Sequence, residues 1–171
     1  LSFQKAIDQG VDGIELDVRL SKDKQIIVFH DKNLKRLSNR DDKIKDLSLS
    51  ELQNVVLTRA EGQEKKTHIP SLSEVIPLLD GIRVLNIEIK TDSLFEGHEI
   101  IGPLIQFLNK HQIDDKCIVS SFNPFVLRFV KKMGPNLQTA FLWSSEDPCY
   151  LFNSPLWIWI CQPDGFHIDI N

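Results

Sequence analysis

Several absences narrow the reading of this chain before any motif is considered. No apolar run approaches the length of a membrane span, and the N-terminal residues show no signal-peptide pattern. Lysine and arginine (20) are outnumbered by aspartate and glutamate (24), giving a net charge of −4 without a polybasic stretch, which argues against a nucleic-acid partner. A metal and one lysine could still reverse the potential locally, so an anionic small molecule is not excluded. Cysteine is scarce and odd in number: Cys117, Cys149 and Cys161 have no metal-ligand spacing and are expected to be reduced thiols in a cytoplasmic protein. No glycine-rich phosphate loop follows any strand-like run, which weighs against a nucleotide-binding doubly wound sheet. Internal repeats, low-complexity tracts and interdomain linkers are also missing.

What is present is enough for one folded domain of 171 residues, since 42% of the chain is hydrophobic. Strand-like and helix-like segments alternate. A helix over 2–9 is closed by Gly10, and strands are expected over 12–18 and 25–30, joined by the turn-forming Ser21-Lys22-Asp23-Lys24. A polar stretch from about 31 to 70 is interrupted by a short helix capped by Ser48 with Glu51, and Ser71 or Ser73 opens another. Strands over 84–90, 117–122, 138–143 and 165–170 alternate with helices over 96–111, 124–133 and 147–161, the last bent at Pro155. Such alternation implies right-handed β-α units on a parallel sheet, either an open doubly wound sheet or part of an eight-stranded barrel.

Charge sits in unexpected places. Glu15 and Asp17 lie two apart within Gly13-Ile14-Glu15-Leu16-Asp17-Val18, so on a strand they share a face. Two like charges on an inward face are costly unless neutralised, and a divalent cation with oxygen ligands does that. A second apolar run ends Phe29-His30-Asp31, and a third reads Leu85-Asn86-Ile87-Glu88-Ile89-Lys90. Charged residues at the carboxyl ends of strands favour the barrel, which keeps its chemistry there. The bland alternatives are an exposed edge pair, a strand-end histidine bonded to backbone, and a solvated lysine. Leu156-Trp157-Ile158-Trp159-Ile160 reads as core before it reads as a lip for lipid-like substrates.

The segments 6–23 and 26–34, with Gly13-Ile14-Glu15-Leu16-Asp17-Val18, Ser21-Lys22-Asp23 and Val28-Phe29-His30-Asp31, closely resemble the glycerophosphodiester phosphodiesterase family. Three later blocks extend the resemblance: Ile69-Pro70-Ser71-Leu72 with Glu74-Val75, Asn86-Ile87-Glu88-Ile89-Lys90, and Val119-Ser120-Ser121-Phe122-Asn123. The resemblance implies a (β/α)8 TIM barrel of the phospholipase C-like type, incomplete here. Strands two to seven are expected, without the family's opening His-Arg-Gly strand and without the last strand. A complete barrel needs about 250 residues, so the chain is expected to be part of a longer polypeptide. It is read as one partial phosphodiesterase domain over 1–171, with 31–70 as an inserted cover of the barrel mouth that supplies no metal ligand.

By resemblance, Glu15, Asp17 and Glu88 are metal ligands for Mg2+ or Ca2+, His30 is one of two catalytic histidines, and Lys90 binds the phosphate. Ser120 and Phe122 are placed at the pocket rim, and His167, with Asp169 on the same strand face, lines the site. The implied reaction is metal-dependent hydrolysis of a glycerophosphodiester to sn-glycerol 3-phosphate and an alcohol. Phospholipase D-like cleavage of lysolipids or sphingolipids is one alternative, and a non-catalytic barrel is the other.

Overall fold

The computed structural model describes residues 2–38, 40–57, 68–144 and 156–169. In chain order these form α1 (Ser2–Asp8), β1 (Gly13–Leu20), β2 (Ile26–Val28), α2 (Leu49–Gln53), α3 (Leu72–Val75), β3 (Val84–Ile89), α4 (His98–His111), β4 (Cys117–Ser121), α5 (Pro124–Met133), β5 (Gln138–Ser144), α6 (Leu156–Cys161) and β6 (Gly165–Asp169). The strands make one sheet in the order β2-β1-β3-β4-β5-β6. From β1 to β6 every neighbouring pair is parallel, which gives an arc of a TIM barrel.

β2 departs from the expected series of parallel strands. It runs antiparallel to β1, with Val18 opposite Val28 and Leu20 opposite Ile26. The link over 21–25 is far shorter than the dozen or so residues a parallel crossover needs. It closes as a tight hairpin: the Ser21 hydroxyl donates to Asp23 Oδ1 at 2.6 Å, the Ser21 N–H donates to the Gln25 carbonyl at 3.0 Å, and Lys24 takes a left-handed φ of 62°. The strand expected to reach His30 therefore stops at Val28, and His30 lies beyond it.

Alternation along the strands gives the arc two chemically different faces. One face carries Leu16, Val18, Leu85, Ile87, Ile89, Cys117 and Val119, buried against Ile100, Ile101, Leu104 and Leu108 of α4 and Val126 and Val130 of α5. Each fully buried aliphatic side chain contributes roughly 1.5–3 kcal/mol, so this layer supplies the main driving force. The other face carries Glu15, Asp17, Glu88 and Ser120, set by the pairing of Asp17 with Glu88 and of Glu88 with Ser120. Gly97 starts α4 at φ +90°, and a Cβ there would lie 2.5 Å from Thr91 Cγ2 and 2.9 Å from Val126 Cγ2. The helix thus docks directly beneath the residue that follows Lys90.

The stretch expected to be a polar cover has a core of its own. Leu34, Ile44, Leu47, Leu52, Val55 and Ile69 are buried together with Ile27 and Phe29. The core reading of the aromatic segment holds on one side of α6 only. Trp157 packs edge-on against Phe125 at 5.5 Å and Cys161 is buried, but Leu156 and Trp159 are 62% and 82% exposed. The earlier part of that expected helix, with Pro155 and Cys149, lies outside the described residues. Burial pushes the free thiols of Cys117 and Cys161 up to about 12 and about 11, so neither is a thiolate near neutral pH.

Ser71, not Ser73, caps α3, and Glu74 ties the surrounding segments together. Its carboxylate accepts from the Ser71 N–H and hydroxyl, both at 2.8 Å, from Gln53 at 3.0 Å and from His68 at 3.1 Å. Burial opposes ionisation, but these bonds outweigh it and hold Glu74 below its ordinary value. A lowered carboxylate stabilises the fold above its unfolded value near 4.5, and that contribution is lost as pH falls through the folded value. Glu74→Gln is expected to cost about 1 kcal/mol by urea unfolding at pH 7, because solvent screening at this 40%-exposed site limits the loss. The difference from wild type should shrink below pH 4; an equal difference at pH 3 and pH 7 would contradict it.

Candidate functional site

Parallel pairing of β1 with β3 brings the acidic residues together. Asp17 pairs with Glu88 and Glu15 with Asn86, so all four side chains rise from the same face of adjacent strands. One carboxylate oxygen from each of Glu15, Asp17 and Glu88 lies within 4.8 Å of the others. At an effective dielectric near 20, each such pair repels by about 3.5 kcal/mol. Three pairs together rival the whole stability of a domain, so the cluster needs compensation.

Lys90, just past the end of β3, provides part of it. Its Nζ sits 2.6 Å from Glu88 Oε1 and 3.2 Å from Asp17 Oδ1, and 5.8 Å from the centre of the Phe122 ring. Burial lowers the affinity of Lys90 for its proton, but the pairs with Glu88 and Asp17 outweigh that and move its pKa up. One positive charge does not balance three negative ones. Desolvation, then the like charges of Asp17 and Glu88, push the Glu15 carboxyl up to about 7. Glu15 is exposed by surface area, so the like-charge part is the firmer of the two causes. Glu88, which is buried, is also raised, chiefly by burial, with Lys90 acting against the shift.

His30 lies on the loop that leaves β2. The Arg19 Nε–H donates to the His30 carbonyl at 2.9 Å, and Arg19 also pairs with Asp92, beyond β3, at 3.0 Å. His30 Nδ1 shares a 2.8 Å hydrogen bond with Asp31 Oδ1, which leaves Nε2 as the nitrogen for proton exchange. Asp31 in turn joins His30 to Arg36. Arg19 escaped the sequence reading; its position two beyond Asp17, on the same face, was the available signal.

The remaining expected site residues are spread out. Phe122 is half-buried under Lys90. Ser120 is not at the rim: it is fully buried beside Glu88 because β4 is an interior strand. Its Oγ, like Asn86 Oδ1, is buried without a hydrogen-bond partner among the described residues. His167 is exposed on β6, paired with Leu142. It shares the polar face but stands three strands from Glu88, about 14 Å along the sheet. Of the expected cover, Lys32, Ile44 and Lys45 line a cleft with Arg19, Lys90 and Asp92, so this segment borders the site.

Chemically, the cluster offers three anionic oxygens and two orphaned neutral ones, a donor set suited to a hard divalent cation. Beside it stand a cationic lysine for an anionic group and a histidine whose Nε2 has no partner among the described residues.

The model of the glycerophosphoryl diester phosphodiesterase family matches residues 1–165 of the chain. A glycerophosphodiester phosphodiesterase from Caldanaerobacter subterraneus is 37% identical over 145 residues, covering 83% of this chain and 59% of the relative. The chain thus spans somewhat over half the length of that curated relative. An Oleispira antarctica phosphodiesterase, solved in complex with the product sn-glycerol-3-phosphate, is 30% identical with a TM-score of 0.80, over 98% of this chain and 67% of that one. The Thermotoga maritima glycerophosphodiester phosphodiesterase gives 33% identity and a TM-score of 0.71, over 97% of this chain and 64% of that one. With the family model matched over nearly the whole chain and these relatives beside it, the chain belongs to the glycerophosphoryl diester phosphodiesterase family.

Proposed function

We propose that this chain carries the cation- and phosphate-binding part of a hydrolase that cleaves glycerophosphodiesters to sn-glycerol 3-phosphate and an alcohol, with Mg2+ or Ca2+ as cofactor. The observation that carries the reading is the convergence of Glu15, Asp17 and Glu88 within 4.8 Å, with Lys90 between two of them. The Oleispira antarctica relative bound to sn-glycerol-3-phosphate supports the choice of substrate class. A cytoplasmic location belongs to the same reading, supported by the buried free thiols of Cys117 and Cys161.

Glu15, Asp17 and Glu88 would hold the cation, which supplies positive charge to a phosphoryl group whose oxygens gain negative charge during reaction. Lys90 binds a phosphoryl oxygen as a point charge, and the Phe122 ring beside it presents an apolar wall to the glycerol carbons. His30 exchanges a proton through Nε2, either activating a hydroxyl or protonating the departing alkoxide. Ser120 supports this floor from its buried place next to Glu88 rather than touching substrate from the rim. His167, on β6, borders the outer part of the same face.

Calorimetric titration with Mg2+ and Ca2+ is the direct test. The wild-type protein is expected to bind one divalent ion, with Asp17→Asn weakening affinity about tenfold or more. A wild-type protein that binds neither ion at millimolar concentration would overturn the reading. His30→Ala is expected to lower turnover of glycerophosphodiesters by about 10²–10⁴ while leaving cation affinity unchanged. Near wild-type turnover in that variant would remove His30 from the mechanism. Substrate comparison decides the class: preference for a lysophospholipid over water-soluble diesters moves the assignment to lysolipid cleavage.

A further inference from the structure

An imidazole on a loop, with 61% of its side chain exposed, turns freely unless something fixes it. Two arginines fix His30 from different directions. Arg19 holds its backbone carbonyl. Arg36 acts at one remove, through Asp31. The Arg36 Nε–H donates to Asp31 Oδ2 at 2.7 Å and a terminal N–H donates to Asp31 Oδ1 at 3.2 Å. Oδ1 is the same oxygen that meets His30 Nδ1 at 2.8 Å. A two-point grip by a planar guanidinium sets the plane of the carboxylate, and that plane sets the direction in which Oδ1 meets the imidazole.

The arginine is itself anchored. It projects from the turn 34–38, where Leu34 is fully buried in the second apolar cluster. The Leu34 N–H donates to the Asp42 carbonyl at 3.0 Å, and the Ser38 N–H and hydroxyl donate to the Leu34 carbonyl at 2.7 and 3.1 Å. An ordinary surface ion pair is the competing account, since Arg36 is 62% exposed. Two features set this pair apart: Asp31 is only 17% exposed, and its Oδ1 is shared with the histidine. Arg40 and Asp42, in the same segment, form a pair that touches no such residue.

We propose that Arg36 is a positioning residue for His30: by clamping Asp31 it keeps the proton on Nδ1 and leaves Nε2 bare, directed to exchange a proton with substrate. The inserted segment thereby gains a task, holding Arg36 in place. This inference rests on the assignment of His30 as the acid/base residue, but its first readout does not.

Nitrogen-15 NMR of the imidazole on the full protein reads the tautomer directly above the histidine pKa. Wild type is expected to show predominantly the Nδ1–H form, with that share falling about twofold in Arg36→Gln, less in Arg36→Lys and not at all in the control Arg40→Gln. Turnover should follow, falling about tenfold in Arg36→Gln with KM little changed. An unchanged tautomer in Arg36→Gln overturns the proposal. If that variant does not fold, an unchanged tautomer in Arg36→Lys overturns it equally. A shifted tautomer in a protein without hydrolase activity would support the positioning role while refuting the function above.

Discussion

Mutual repulsion among Glu15, Asp17 and Glu88 is the constraint around which this fold is arranged. Their spacing follows from the pairing of Asp17 with Glu88 across β1 and β3, so a slip of one residue in that register would turn the charges into the hydrophobic layer. Register is held by what lies on the opposite face, where Leu16, Val18, Leu85, Ile87 and Ile89 lock against α4 and α5. The energy that assembles like charges is thus drawn from apolar burial on the reverse of the same strands. Lys90 then relieves part of the repulsion from within the chain, pairing with Asp17 and Glu88 at once.

The proton-exchanging candidate is built on a different plan. Glu15, Asp17 and Glu88 come from strands, whereas His30 stands on a loop and depends on partners contributed by other segments. Arg19 reaches it from β1, and Asp31 relays the hold of Arg36. The acidic strand face and the braced, solvent-facing histidine thus belong to separate elements, so the proposed cation-holding and proton-exchanging groups are kept apart in space.

Period-two alternation made the acidic face legible, because Glu15, Asp17 and Glu88 stand out against apolar neighbours. The turn over 21–24 was legible too, but the direction of β2 followed from link length rather than from strand composition. The core of the segment between β2 and α3 was not readable. Leu34, Ile44, Leu47, Leu52 and Val55 are separated irregularly and wrapped in charge, so neither a helical nor a strand period appears. Ser120 was expected at the rim by resemblance alone, and no local pattern of the sequence signalled its full burial on β4. Contacts such as Arg19 with Asp92 join residues more than seventy apart, and no local pattern announces them.

Gly97 carries a consequence for how sequence variation in this chain would present itself. Any L-residue there would combine a disfavoured φ with collision against the short, stiff side chains of Thr91 and Val126. Thr91 is flanked by Lys90 and Asp92, so relief of that collision would drag the lysine from its carboxylates and loosen the Arg19 tether. A mutation of a residue with no side chain, seven positions from Lys90, would therefore masquerade in a genetic screen as the loss of Lys90 itself.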